Sequence, residues 1–125
     1  LTCHSGMALG ADTVWAYAII HAKEKFPGQI KFVAEVPFTE QTNKWRHLDK
    51  VCWKFLHDKA DAINVYSNEY YPYVMQKRNI GMIDACDLLI AVYDGSVSGG
   101  TYNALKYAKS KDKEIVYINP SSISK

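Results

Sequence analysis

Nothing in the 125 residues approaches the roughly 20 consecutive apolar residues of a membrane-spanning helix. The amino end has neither the charged stretch nor the apolar stretch of a secretory signal. Strong charge of one sign is also lacking. Fifteen Lys and Arg against thirteen Asp and Glu leave a net +2, which argues against a nucleic-acid protein. Cysteine is sparse: Cys3, Cys52 and Cys86 are odd in number and far apart, so no disulfide framework is expected. Reduced thiols in a cytoplasmic protein fit better. His47, Cys52 and His57 are spaced by five residues, which turns successive side chains about 140° apart on a helix. No metal site and no cofactor are expected. No Ser-His-Asp set is legible either, because His4 and Ser5 are neighbours and point to opposite faces of a strand.

What is present is an alternation of strand and helix signals over the whole length, without repeats or linkers. "LTCHS" reads as the end of a strand. From Gly10 to about Phe26, apolar residues at Ala11, Val14, Trp15, Ala18, Ile19, Ala22 and Phe26 form a helical stripe closed by Pro27-Gly28. "IKFVAEVP" predicts a buried strand. A second stripe follows from Trp45 through Leu48, Val51, Cys52, Phe55 and Leu56. "DAINVYS" predicts a short strand and Tyr73 to Ala85 a helix. "DLLIAVY" is apolar almost throughout, as a central parallel strand should be. Gly100 to about Lys111 predicts a helix and "EIVYINP" a last strand. This order implies βαβ crossovers and a Rossmann-like three-layer α/β/α fold with a mainly parallel sheet of about five strands.

Ligands of such sheets sit beyond the carboxyl ends of the strands. There the chain carries "SGMALGAD", "PFTEQTNKW" and "DGSVSGGT". Glycine turns that feed helices offer backbone N–H groups and the positive end of the helix dipole to an anion. Ser5, Gly6 and Gly10 mark the first such turn; Gly95, Gly99, Gly100 and Thr101 mark the second. Both readings stay open for each, a plain turn or a phosphate cradle. Neither is a Walker A loop or a dinucleotide fingerprint. Asp12 and Asp94 are either helix-start and turn residues or contacts to a ribose or base. Arg78 falls on one helical face with Val74 and Met82, so its guanidinium needs an anion, either Asp84 or Asp87 or a ligand phosphate. Asn79 beside it either holds a loop or reads a ligand edge. Phe38 and Trp45 bracket the middle loop and are candidates for stacking on a base or for core packing.

Four blocks in this order resemble the SLOG superfamily of Rossmann-like proteins, and within it the YpsA-like branch of bacteria and their phages. They are "SGMALGADTVWA", "VPFTEQTNKW", "RNIGMIDACDLLIAVYDG" and "SGGTYNALKYA". The resemblance implies binding of a nucleotide or nucleotide-derived ligand at the strand ends. It also implies a strand-helix unit with a Thr-Gly-His-like turn upstream of Ser5. On that view residues 1–125 form one domain that is incomplete at its amino end. Two relatives imply rival activities. The LOG enzymes free cytokinin bases from ribose phosphates with an Arg-x-x-x-Met helix and a Gly-Gly-x-Gly-Thr-x-x-Glu turn. Arg78, Met82, Gly100 and Thr101 match, but the position of the catalytic Glu is Ala104, and glycosidic cleavage needs a carboxylate. DNA-processing protein A, whose family binds single-stranded DNA through basic and aromatic patches, has a turn similar to Ser5 to Asp12, with Arg where this chain has Leu9; the near-neutral charge argues against that role here. The expected partner is therefore a nucleotide-like small molecule, with no nucleic acid and no membrane. Relatives that pair through helices flanking the sheet suggest a homodimer.

Overall fold

The computed structural model describes residues 1–96 and 98–120. They form two compact units that divide at the start of the third helix, between residues 74 and 75. In the first unit the order is β1 (Thr2–Ser5), α1 (Ala11–Lys25), β2 (Lys31–Val36), α2 (His47–Lys59) and β3 (Ala62–Val65). In the second it is α3 (Val74–Ala85), β4 (Leu88–Val92), α4 (Gly100–Ser110) and β5 (Glu114–Ile118). The helices and strands expected from the sequence are all found, and the fold is Rossmann-like α/β. Among the described residues the strands pair in two parallel sheets, β1-β2-β3 and β4-β5, rather than in one of five.

The first unit is organised by β2, the middle strand. Its register pairs Ser5 with Ala34 and Val36 with Val65. Phe32, Ala34 and Val36 alternate on one face and meet Ala16 and Ile19 of α1, Leu56 of α2, and Met7. Val33 and Glu35 point to the other face and are buried as well. That explains the unbroken apolar reading of this strand, into which one carboxyl group has been set. Asp61, just before β3, ties three elements together. It accepts the Phe32 N–H at 2.7 Å and pairs with Lys23 of α1. The Lys23 hydrogen bond first, then the Phe32 amide, holds its carboxyl below the usual aspartate range.

The helical stripes need correction. On α1 the buried residues are Ala16 and Ile19, whereas Val14, Ala18 and Phe26 are exposed. On α2 only Leu56 is fully buried; Leu48 is 74% exposed, and Val51 and Phe55 are exposed too. The period was read correctly, but a stripe this wide does not say which flank meets the sheet. Trp53 decides it for α2, because its indole N–H donates to Gln41 Oε1 at 3.1 Å. Phe55 is left outside, stacked on Tyr17 at 6.1 Å. Trp45 does not begin this helix. It lies in the preceding turn, where its N–H donates to the Thr42 carbonyl at 2.9 Å.

In the second unit α4 packs on the β4-β5 pair, burying Leu105, Ala108 and Ala91. Tyr107 of α4 donates to Asp84 of α3 at 2.6 Å, and the Lys113 ammonium donates to the Cys86 carbonyl at 2.8 Å. β4 is apolar on both faces, as expected of a central strand, yet Leu88, Ile90 and Val92 are exposed, with Val116 paired beside Ile90. The three cysteines are free thiols, and burial pushes those of Cys3 and Cys86 above their usual pKa.

Candidate functional site

Two turns leave carboxyl ends of parallel strands and open helices, and both do so through a glycine with positive φ. Gly10 precedes α1 with φ 88°, and Gly99 precedes α4 with φ 99°. An L side chain rarely adopts this conformation, so glycine is required at both by the backbone alone. Gly100 is different. Its φ is not in the left-handed region, and a Cβ there would meet nothing within 4 Å among the described residues. Among the described residues, neither backbone conformation nor packing calls for glycine at that position.

The first turn satisfies its own polar groups. The Ser5 hydroxyl accepts the Met7 N–H at 3.2 Å and donates to the Asp12 carbonyl at 2.9 Å. Asp12 Oδ2 accepts the Ala8 N–H at 3.2 Å, and the Thr13 hydroxyl donates to the Ala8 carbonyl at 2.8 Å. From the far side of the turn, Gln41 donates to the Met7 carbonyl at 3.3 Å. Met7 itself is held at φ 61° with its side chain 1% exposed in the core. Asp12 also places a carboxylate in the first turn of α1, where it meets the positive end of the helix dipole. Ser5, Gly6, Gly10 and Asp12 are thus gathered in one turn, with Ser5 and Asp12 engaged in holding it.

The second turn is built otherwise. Asp94 Oδ1 accepts the Ser96 N–H at 2.9 Å and the Ser96 hydroxyl at 2.5 Å. These bonds, the hydroxyl first, hold the Asp94 carboxyl below its usual pKa. Beyond this bend α4 starts with no side-chain cap and no acidic residue in its first turn. A cleft of about 250 Å³ opens there, lined by Tyr93, Asp94, Ser96, Ser98, Gly99, Gly100 and Thr101, with Val92 and Pro120. Its walls come from the carboxyl end of β4, the loop after it, the start of α4 and Pro120, two residues past β5. The cleft lies at a helix start without a side-chain cap and has hydroxyl-bearing residues in its lining, and free backbone amides at a helix start favour an anion.

Of the sequence candidates, Asp94, Gly99, Gly100 and Thr101 line this cleft, and Gly95 lies in the same loop with φ 93°. Arg78 is 6% exposed on α3, and its Nε donates to Asn79 Oδ1 at 2.8 Å. Neither Arg78 nor Asn79 lines the cleft. Phe38 sits at the end of β2 with its ring edge-on to Tyr70. Ser96, Ser98, Tyr93 and Pro120 were missed by sequence reading. The serines carried a signal, because "GSVSGG" interleaves hydroxyls with the glycines; Pro120 is brought in by the β4-β5 pairing alone.

A polar group inside the first unit was also missed. Glu35, 1% exposed, accepts from Asn64 and from the Tyr66 hydroxyl, both at 2.5 Å, with His4 Nδ1 3.7 Å away. The three partners come from β1, β3 and the residue after β3. A buried carboxyl group needs donors, and Asn64 and Tyr66 supply them, tying β2 to β3 and the residue after it.

Parallel strands joined by helices, with a polar, glycine-lined cleft at a carboxyl edge, define a protein of the Rossmann-like α/β class. Residues 4–123 match the profile of the YspA SLOG family, and the chain belongs to that family. It is 39% identical over 117 residues to the uncharacterized SPbeta prophage-derived protein YoqJ of Bacillus subtilis, covering 84% of this chain and 67% of that protein. A UPF0398 protein of Bacillus cereus is 26% identical over 105 residues, covering 82% of this chain. The chain spans 56% of the length of that relative. Membership suggests a nucleotide-related role. Among the described residues no helix is long and apolar enough to cross a membrane.

Proposed function

We propose that the chain binds a phosphate-bearing nucleotide or nucleotide-derived ligand, with the phosphate at the first turn of α4. The observation that carries this is the uncapped, acid-free start of α4 opening into the Asp94 to Thr101 cleft. Gly100 supports it further. A glycine that neither backbone conformation nor internal packing demands leaves the backbone open to close approach by a ligand. The Asp94 carboxylate, held ionised by Ser96, would repel a phosphate placed against it. Its role is then to accept ribose hydroxyls at the cleft rim while the phosphate lies toward Thr101.

Binding rather than cleavage is the reading that fits these groups. N-glycosidic hydrolysis needs a carboxylate close to the anomeric carbon. Ala104 supplies none, and one oxygen of Asp94 is already engaged by Ser96.

The test is calorimetric titration of the chain with AMP, ADP, ATP and inorganic phosphate, repeated with Thr101→Asp. The substitution puts a carboxylate where the phosphate is proposed to lie, and like charges in such proximity repel by several kcal/mol, about 4 at an effective dielectric of 20. Phosphate-bearing ligands should bind the parent chain and lose at least about tenfold in affinity in the variant, which is 1.4 kcal/mol. Absence of binding by all four, or binding that Thr101→Asp leaves unchanged, rejects the proposal.

A further inference from the structure

The geometry points to Tyr70, backed by Phe38, as a stacking platform for a nucleobase on the first unit. Phe38 and Tyr70 follow β2 and β3 in the chain, at the carboxyl edge where parallel sheets receive ligands. Two loops are stitched together there. The Thr39 N–H donates to the Ser67 carbonyl at 3.1 Å. The Ser67 hydroxyl accepts the Glu69 N–H at 3.2 Å and donates to the Glu69 carbonyl at 2.7 Å, closing the bend that delivers Tyr70. Phe38 follows Pro37, whose side chain is fully buried and anchors the chain at this point. Its ring meets Tyr70 with centroids 5.5 Å apart and planes at 68°.

An edge-to-face contact steadies both rings without covering them as a stacked pair would. Tyr70 remains 61% exposed. An ordinary surface tyrosine sits on a mobile side chain; this one has its backbone bend and its ring position set before any ligand arrives. Ordering a side chain on binding costs affinity, and that cost is largely removed here. Every nucleobase presents a π face, so a pre-set aromatic ring at a ligand-bearing edge suits that class of planar group. This inference does not rest on the phosphate reading, because it concerns a different unit and the ring part of a ligand.

Saturation-transfer NMR of the chain with adenosine, guanosine, cytidine and uridine tests it without any phosphate present. Base protons should receive more saturation than ribose protons. Tyr70→Phe should bind within about twofold of the parent, while Tyr70→Ala should lose about tenfold, as base stacking predicts. Tyr70→Leu keeps apolar bulk but has no π face, so it should behave like alanine, and it decides the matter if the alanine variant folds poorly. Equal binding by Tyr70→Leu and the parent overturns the inference. So does a lack of transfer to every nucleoside, and if inorganic phosphate still binds in that case, the α4 reading stands without the platform.

Discussion

The turn from Ser5 to Asp12 and the loop from Asp94 to Thr101 start from the same plan. Each leaves a parallel strand, passes a glycine with positive φ and opens a helix. They end with opposite electrostatics. The first turn consumes its own donors: the Met7 and Ala8 amides are taken by Ser5 and Asp12, and Asp12 supplies the negative charge that a helix start favours. The second turn spends its carboxylate on Ser96 and leaves the start of α4 without an acidic residue beside a cleft, although neither helix start has a side-chain cap. Glycine therefore marks where a helix must be entered at positive φ, and does not by itself mark a ligand. What separates a structural turn from a candidate site is whether the chain supplies its own anion.

If the first turn is structural, its largest vulnerability is Met7, which plugs the core from a left-handed backbone. Met7→Ala should destabilise the chain by about 2–5 kcal/mol, the usual cost of emptying a buried methionine site. A left-handed residue with a Cβ costs roughly 1–2 kcal/mol, and glycine escapes that cost. Met7→Gly should consequently be no worse than Met7→Ala, reversing the order normally seen for these two residues. Chemical denaturation of both variants checks this, and a glycine variant clearly weaker than the alanine one would show that the turn relaxes freely.

Legibility in the sequence followed the same divide. The order of strands and helices was readable because it depends on local period and on breakers such as Pro27-Gly28. The faces of α1 and α2 were not, since Leu48, Val51 and Phe55 have the right spacing but lie away from the sheet. Met7 was hidden by its neighbours: a methionine between Gly6 and Ala8 in a glycine turn reads as loop, while its burial depends on α1, α2 and β2 meeting above it. Gln41 was hidden by distance. It bridges Met7 and Trp53 from a loop 34 residues beyond the one and 12 before the other. At the α4 cleft the glycines, Asp94 and Thr101 were readable because they are close together in the chain, while the hydroxyls of Tyr93, Ser96 and Ser98 were overlooked beside them.

A sharper comparison exchanges the charges of the two helix starts. Asp12→Ala removes a first-turn carboxylate and its hydrogen bond to Ala8, and should cost about 1–2 kcal/mol of stability. Thr101→Asp gives α4 the carboxylate that α1 already has, and should gain about 0.3–1 kcal/mol in the absence of ligand. Opposite signs in thermal unfolding, together with the loss of phosphate affinity in the second variant, would fit one mechanism for both turns. A destabilising Thr101→Asp would mean that α4 does not present an open positive end.

The smallest effect lies in the Asp94 bend. Its carboxyl titrates below the usual aspartate value because the Ser96 hydroxyl and amide both donate to it. In an unfolded chain the same group titrates at about 3.9. The bend is therefore at full strength above that pH, and its contribution is lost as the pH falls through the lower, folded value. The Ser96 amide resonance should hold its position from neutral pH down to about 4 and move only below it. Ser96→Ala removes the hydroxyl donor and should shift the Asp94 titration back toward the ordinary value. A Ser96 amide that already moves above that range would mean the bend is not held by the ionised carboxylate. Because Asp94 and Ser96 line the same cleft as Thr101, loss of this bend in acid should weaken a bound nucleotide without unfolding α4.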